Sequence, residues 1–124
     1  MRKITIEAGN IVLEAELNET TTAEIIYNSL PLEGSAIIWG EEIYFGTGIG
    51  VKEEPTAIEE VEVGTLAYWP VGAAFCIFFG PTPVSTGNKP RAYSPVNVFG
   101  KIKGNAKLLK SVRQGENVVV KPVL

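Results

Sequence analysis

Seven consecutive residues, Ala73 to Phe79 (AAFCIFF), carry no charge, no glycine and no proline. An apolar run of that length, bounded by turn residues, reads as a strand buried on both faces. Tyr68, Trp69 and Pro70 turn the chain into it, and Gly80, Pro81 and Pro83 end it. This strand is expected to sit in the wall of a closed β-barrel. Successive residues of a strand point to opposite faces. If Phe75, Ile77 and Phe79 fill the barrel, then Ala74, Cys76 and Phe78 face outward.

The flanking sequence supplies the other strands. Ile4 and Ile6 alternate with polar neighbours between Arg2 and Glu7, and Ile11 to Leu17 alternates again after Ala8-Gly9-Asn10, which predicts a β-hairpin. Ser35 to Trp39 and Glu41 to Phe45 read as two strands, or as one bent at Gly40. Glu60 to Val63 alternates into the central stretch, Val96 to Lys101 returns to strand, and Val118 to Val123 is the last one. Two helices are expected. Thr21-Thr22-Ala23-Glu24 has capping-box spacing and precedes apolar residues at Ala23, Ile26, Tyr27 and Leu30, with Pro31 as the stop. Asn105 can cap a second helix over Ala106 to Val112, with Leu108, Leu109 and Val112 inward. Pro55 to Glu59 repeats the capping-box spacing and predicts a helical turn. Gly80 to Pro95, with four prolines, has no periodicity and reads as a long loop of the kind that carries function. The sum is one domain over residues 1–124, mainly β, with roughly eight short strands and two short helices to plug the barrel ends.

Composition narrows the chemistry. The chain contains no histidine, which removes Ser-His-Asp and Cys-His catalysis, imidazole acid–base work and histidine-based zinc sites. With Cys76 as the single cysteine no intramolecular disulfide can form, and a reducing, cytoplasmic setting is expected. Met1-Arg2-Lys3 leads into alternation, so no leader is expected, and no apolar run reaches the ~20 residues of a membrane span. The net charge of −3, with the basic residues scattered, argues against a nucleic-acid partner. Gly46-Thr47-Gly48-Ile49-Gly50 has the look of a phosphate loop, but Val51 to Pro55 opens no helix and brings two glutamates, so hairpin or bulge glycines are the better reading. No metal or cofactor is expected. Of Glu41 and Glu42, one should face inward or toward a cleft, unless both stay wet at a bulge made by Gly40.

Three segments resemble cyclophilins, the peptidyl-prolyl isomerase barrels. They are Thr22-Ala23-Glu24-Ile25, Gly64-Thr65-Leu66 with the run to Phe79, and Val98-Phe99-Gly100-Lys101-Ile102, in the same order along the chain. Nearly end to end, the chain also resembles a small group of uncharacterised prokaryotic cyclophilin-like proteins. The segments in common are Trp39 to Phe45 (WGEEIYF), Tyr68-Trp69-Pro70, Phe78-Phe79-Gly80, Thr82-Pro83 with Ser85, and Val96-Asn97-Val98. The resemblance implies an eight-stranded closed barrel capped by two helices. It does not carry the enzyme across. Val96 stands where cyclophilins place their histidine, the arginine segment has no counterpart, and the glutamine and phenylalanine of the neighbouring strand fall near Ala74 and Cys76.

Three functions stand open. The first is a non-catalytic module binding a peptide or small molecule. Its candidate lining is the aromatic set Trp39, Tyr44, Tyr68, Trp69, Phe78 and Tyr93, with Glu42, Thr82, Ser85, Arg91 and Asn97 supplying polar groups. The plain alternative for these aromatics is core or subunit interface. The second is a weak or divergent prolyl isomerase, or another reaction at Glu42. The third is a structural subunit of a homo-oligomer.

Overall fold

A computed structural model describes residues 2–124. It contains ten strands, one α-helix and one short 3-10 helix. The strands are β1 (Lys3–Ala8), β2 (Ile11–Leu17), β3 (Leu32–Ser35), β4 (Ile37–Ile38), β5 (Glu42–Gly46), β6 (Ile58–Glu60), β7 (Thr65–Trp69), β8 (Ala74–Phe78), β9 (Arg91–Lys103) and β10 (Asn117–Pro122). Helix α1 spans Thr21–Asn28 and the 3-10 helix Ala106–Ser111.

All pairing is antiparallel, in the order β3-β10-β1-β2-β9-β7-β8-β5-β4, with β6 added on β9. The pairing is thus a nine-strand path with β6 as a branch, rather than an eight-strand ring. Its two terminal strands are nonetheless neighbours in the chain, since only Ala36 separates β3 from β4. Gly34 of β3 also lies so close to β5 that a Cβ there would meet the Phe45 ring at 2.7 Å.

The apolar run forms β8, flanked by β5 on one side and β7 on the other. Every residue of the strand is buried, as an unbroken apolar run requires. Its two faces enter different clusters. Phe75 and Ile77 join the main core, where Phe75 stacks on Phe45 at 5.2 Å and meets Phe99 edge-on at 5.1 Å. Ala74, Cys76 and Phe78 join a second cluster on the opposite face, with Val61, Ala67, Ala92 and Val96. The sheet therefore buries apolar side chains on both sides in this sector.

Local chemistry sets the ends of the elements. Gly9, at a φ of 56°, and Asn10 make the two-residue turn of the first hairpin, in which Ala8 faces Ile11. Helix α1 is capped one residue earlier than the spacing predicts. Thr20 accepts from the Ala23 amide, and the carboxylate of Glu54, from a distant loop, accepts from the Thr22 amide at 3.2 Å. Ala23 and Ile26 enter the main core, as do Ala106 and Leu109 of the 3-10 helix, whereas Leu108 is half exposed.

Three expectations fail. Glu60 to Val63 is not a strand, since β6 ends at Glu60 and the chain then turns at Val63 and Gly64 into β7. Pro55 to Glu59 makes a turn and then strand β6, because β6 finds a partner in β9. The predicted loop to Pro95 ends at Pro90, and β9 runs through Pro95. A proline is tolerated there because the pairing is irregular: Ile58 and Glu60 face Val96 and Arg91 across a bulge. No helix among the described residues is long and apolar enough to cross a membrane.

Candidate functional site

A pocket of about 160 Å³ lies on the outer face of β5, β8 and β9, away from the main core. Trp39, Glu42, Tyr44, Trp69, Cys76 and Tyr93 line it, with Ala92 and Val96. An apolar cavity of about 150 Å³ accepts benzene, so this space suits one ring or one branched head group. A larger hollow of about 560 Å³ at Arg2, Asn18, Thr20 and Glu24 has no aromatic wall.

The motif WGEE builds one side. Trp39 and Glu42 exchange both backbone hydrogen bonds, at 2.9 and 3.1 Å, across a turn of Gly40 and Glu41. Residues so paired on antiparallel segments project to the same face. Gly40 adopts a φ of 60°, and a Cβ on it would meet the Thr82 backbone at 2.8 Å, so the turn depends on glycine. Two residues on, Tyr44 shares that face and sits opposite Cys76. Trp69 comes from the end of β7 and donates its indole N–H to Ser94 Oγ at 2.6 Å. Gly72 lets the indole lie flat on the following turn, because a Cβ there would stand 2.3 Å from the ring. The bulge in β9 turns both Ala92 and the adjacent Tyr93 into the pocket, which a regular strand would not do.

The rings meet edge-to-face in series. Trp39 lies 6.2 Å from Tyr93 at 71°, Tyr93 lies 6.1 Å from Trp69 at 78°, and Trp69 lies 6.3 Å from Tyr44 at 79°. In such a series each ring's edge meets its neighbour's face, so adjacent rings stand as near-perpendicular walls of the pocket they line.

Glu42 is the polar group of the pocket, and 5% of it is exposed. Burial pushes its carboxyl from 4.5 up to about 7, and the Cys76 thiol partly offsets the rise. No Lys or Arg among the described residues reaches it. Burial first, and then the Glu42 charge, push the Cys76 thiol well above its ordinary value of 9. The site thus holds an acid poised near neutrality and an inert thiol. The neighbouring Glu41 points elsewhere, to Lys107 at 3.1 Å. Among the described residues no group of three or more His, Cys, Asp or Glu side chains could hold a metal ion.

Of the eleven candidates, the pocket gathers Trp39, Glu42, Tyr44, Trp69 and Tyr93. The other six lie elsewhere. Tyr68 faces the main core and donates to the Ile49 carbonyl at 2.5 Å, as its position next to Trp69 on a strand demands. Phe78 is in the outer cluster but outside the pocket lining. Thr82 and Ser85 knit the loop over Gly80 to Pro90, Thr82 to the Arg91 carbonyl at 2.5 Å and Ser85 to the Lys89 carbonyl at 2.8 Å. The Arg91 guanidinium is held by Glu59. Asn97 is buried and ties down the segment after the glycines: it donates to Lys52 O at 2.8 Å and Thr22 Oγ1 at 3.1 Å, and accepts from the Glu54 amide at 2.9 Å. Sequence reasoning put Cys76 on the outward face of its strand without naming it among the candidates, and left Ala92 and Val96 out altogether. Small apolar side chains carry no chemical signal, although Cys76 shares its strand face with Phe78, and Val96 stands where the resemblance places the cyclophilin histidine.

The chain belongs to the Cyclophilin-like family, whose model matches residues 2–121. Its structure is similar to the solution structure of the hypothetical protein AF2241 from Archaeoglobus fulgidus, with a TM-score of 0.82 and 39% sequence identity, over 98% of this chain and 95% of that one. No curated protein matches the chain.

Proposed function

We propose that the protein is a binding module that takes one ring-sized or branched group, of a small molecule or of a peptide, into the pocket beside Glu42. The observation that carries this reading is a buried carboxyl with no cationic partner, set among four aromatic rings on an otherwise apolar wall. A fold has no structural use for such a group, because an unpaired buried carboxyl costs stability. A few polar groups on an apolar, concave surface is also the composition of ligand sites. The proximity of β3 to β4 and β5 supports closure of the sheet into a barrel, which would make the pocket floor rigid.

The same geometry weighs against isomerase chemistry. The positions that the resemblance links to cyclophilin catalysis are here Val96 and Cys76, which offer no strong hydrogen-bond donor, and the nearby Arg91 is held by Glu59. The binding reading is tested by titrating 15N-labelled protein separately with acetyl-Ala-Pro-amide, benzyl alcohol and tetramethylammonium chloride. At least one should move the indole signals of Trp39 and Trp69 saturably, with the backbone amides of Glu42 and Tyr93. If none of the three moves either indole, the pocket does not take a ligand of this size and the reading falls.

A further inference from the structure

Resting on that binding reading, we infer that the pocket is selective for an alkylated ammonium cation, either free or at the tip of a peptide side chain. Four features converge on this ligand. Trp39, Tyr93, Trp69 and Tyr44 meet edge-to-face at 71°, 78° and 79°, so they form the walls of a box rather than a flat stack. A cation within ~6 Å of such ring faces is attracted by their quadrupoles, and tryptophan gives the strongest attraction. Glu42 brings the only carboxyl among the lining residues. The local cations are committed elsewhere, Arg91 to Glu59, Lys89 to Glu62, and Lys107 and Lys110 to Glu41.

The chemistry also excludes the obvious competitors. Ca2+ and Mg2+ need six or more oxygens and Zn2+ at least three protein ligands, whereas the pocket has one carboxyl and one thiol. A bare ammonium has three N–H donors and a tightly held hydration shell that one carboxyl cannot replace. Alkyl groups on nitrogen remove donors and weaken hydration while the positive charge remains, so the apolar walls become an advantage. The volume of about 160 Å³ matches a trimethylammonium-sized head better than a larger ligand.

Protonation of Glu42 makes the selectivity pH-dependent. Its carboxyl titrates at about 7, so at pH 6 it is mostly neutral and a cation must displace a proton to bind fully. Affinity for the cation therefore rises from pH 6 to 8 and then levels. The other titratable or charged groups that face Glu42 or its strand are Cys76 on β8, Tyr44 on β5, Tyr93 on β9, and the Glu41–Lys107–Lys110 group on the opposite side. The Cys76 thiol lies well above this range.

The test compares choline with its neutral isostere 3,3-dimethyl-1-butanol, and tetramethylammonium with neopentyl alcohol as a soluble neutral analogue, read by the Trp39 and Trp69 indole shifts at pH 8. A peptide carrying trimethyllysine, set against the same peptide with plain lysine, separates a side-chain source from a free one. The cations should bind at least about tenfold more tightly than the isosteres, a margin that the Glu42 charge and cation–π contact supply together. Glu42→Gln should remove most of that margin and its pH dependence while leaving the isosteres unaffected. Tyr93→Leu alters an exposed side chain, so the fold is kept, and it should weaken the cations about five-fold or more. Equal binding of cation and isostere would overturn the ammonium inference and leave the binding reading intact. Failure of every probe to move either indole would overturn both.

Discussion

Glu42 is held where a carboxyl is least comfortable. The displacement from 4.5 to about 7 corresponds to about 3 kcal/mol of preference for the neutral form. The sign follows from proton counting. Between pH 4.5 and about 7 the folded protein binds more protons at this site than the unfolded chain, so the contribution is intact below pH 4.5 and is lost as pH rises through 7. Glu42→Gln should therefore raise stability by about 2 kcal/mol at pH 8 and by almost nothing at pH 4.5. Paired thermal melts of the two proteins across that range check it. Parallel curves would mean that the carboxyl is wet. The choice between Glu41 and Glu42 was only half legible in the sequence. Strand alternation requires that they point opposite ways, but which one is buried depends on the two-residue turn at Gly40 and on Lys107, which arrives from 66 residues away.

Among the elements, the β7–β8 hairpin and the segment Gly46 to Pro55 carry separable duties. Gly72 makes room for the Trp69 indole, so Gly72→Ala should push the ring out of the pocket. Expected is a shifted Trp69 indole signal and weakened ligand binding, with a stability loss of about 1–3 kcal/mol from overpacking. An unmoved indole signal would refute this role for the glycine. Asn97 acts on another face. Asn97→Ala leaves the Lys52 carbonyl and the Glu54 amide without their partner and should cost about 2–3 kcal/mol. Hydrogen exchange should speed up over residues 50–55 while pocket affinity is unchanged; loss of affinity at unchanged stability would place Asn97 in the ligand site instead. The strand β8 was legible because seven apolar residues leave little alternative. Strand β9 was legible from Val96 on but not over Arg91 to Pro95, because Pro95 reads as a breaker in isolation and only the bulge opposite β6 makes it acceptable. The turn at Pro55 to Glu59 was misread for a related reason: local capping spacing was outweighed by pairing with a strand some 35 residues on.

At the scale of the whole molecule, an antiparallel β-sheet carries, on one outer face, a pocket of aromatic rings around one buried carboxyl. Amide rotation faces a barrier of ~18–20 kcal/mol, and on the binding reading proposed above the pocket does not lower it. A prolyl exchange assay on a proline-containing tetrapeptide should give the buffer rate from pH 6 to 9. Acceleration that disappears in Glu42→Gln would establish catalysis at this carboxyl and displace the binding reading. The two-sided burial of β8 was readable from the sequence, because an unbroken apolar run reports apolar surroundings on both faces, whereas the strand order was not, because it depends on long-range pairing. The pocket was readable only in part, because its floor of Cys76, Ala92 and Val96 is defined by what is missing from those side chains.

The most direct measurement is a 13C titration of the Glu42 side-chain carboxyl, assigned with Glu42→Gln, in the absence and presence of saturating tetramethylammonium. The expected midpoint is about 7 in the free protein, falling when the cation is bound. A midpoint in the ordinary carboxylate range near 4.5 would contradict a buried, unpaired acid and the pocket built around it.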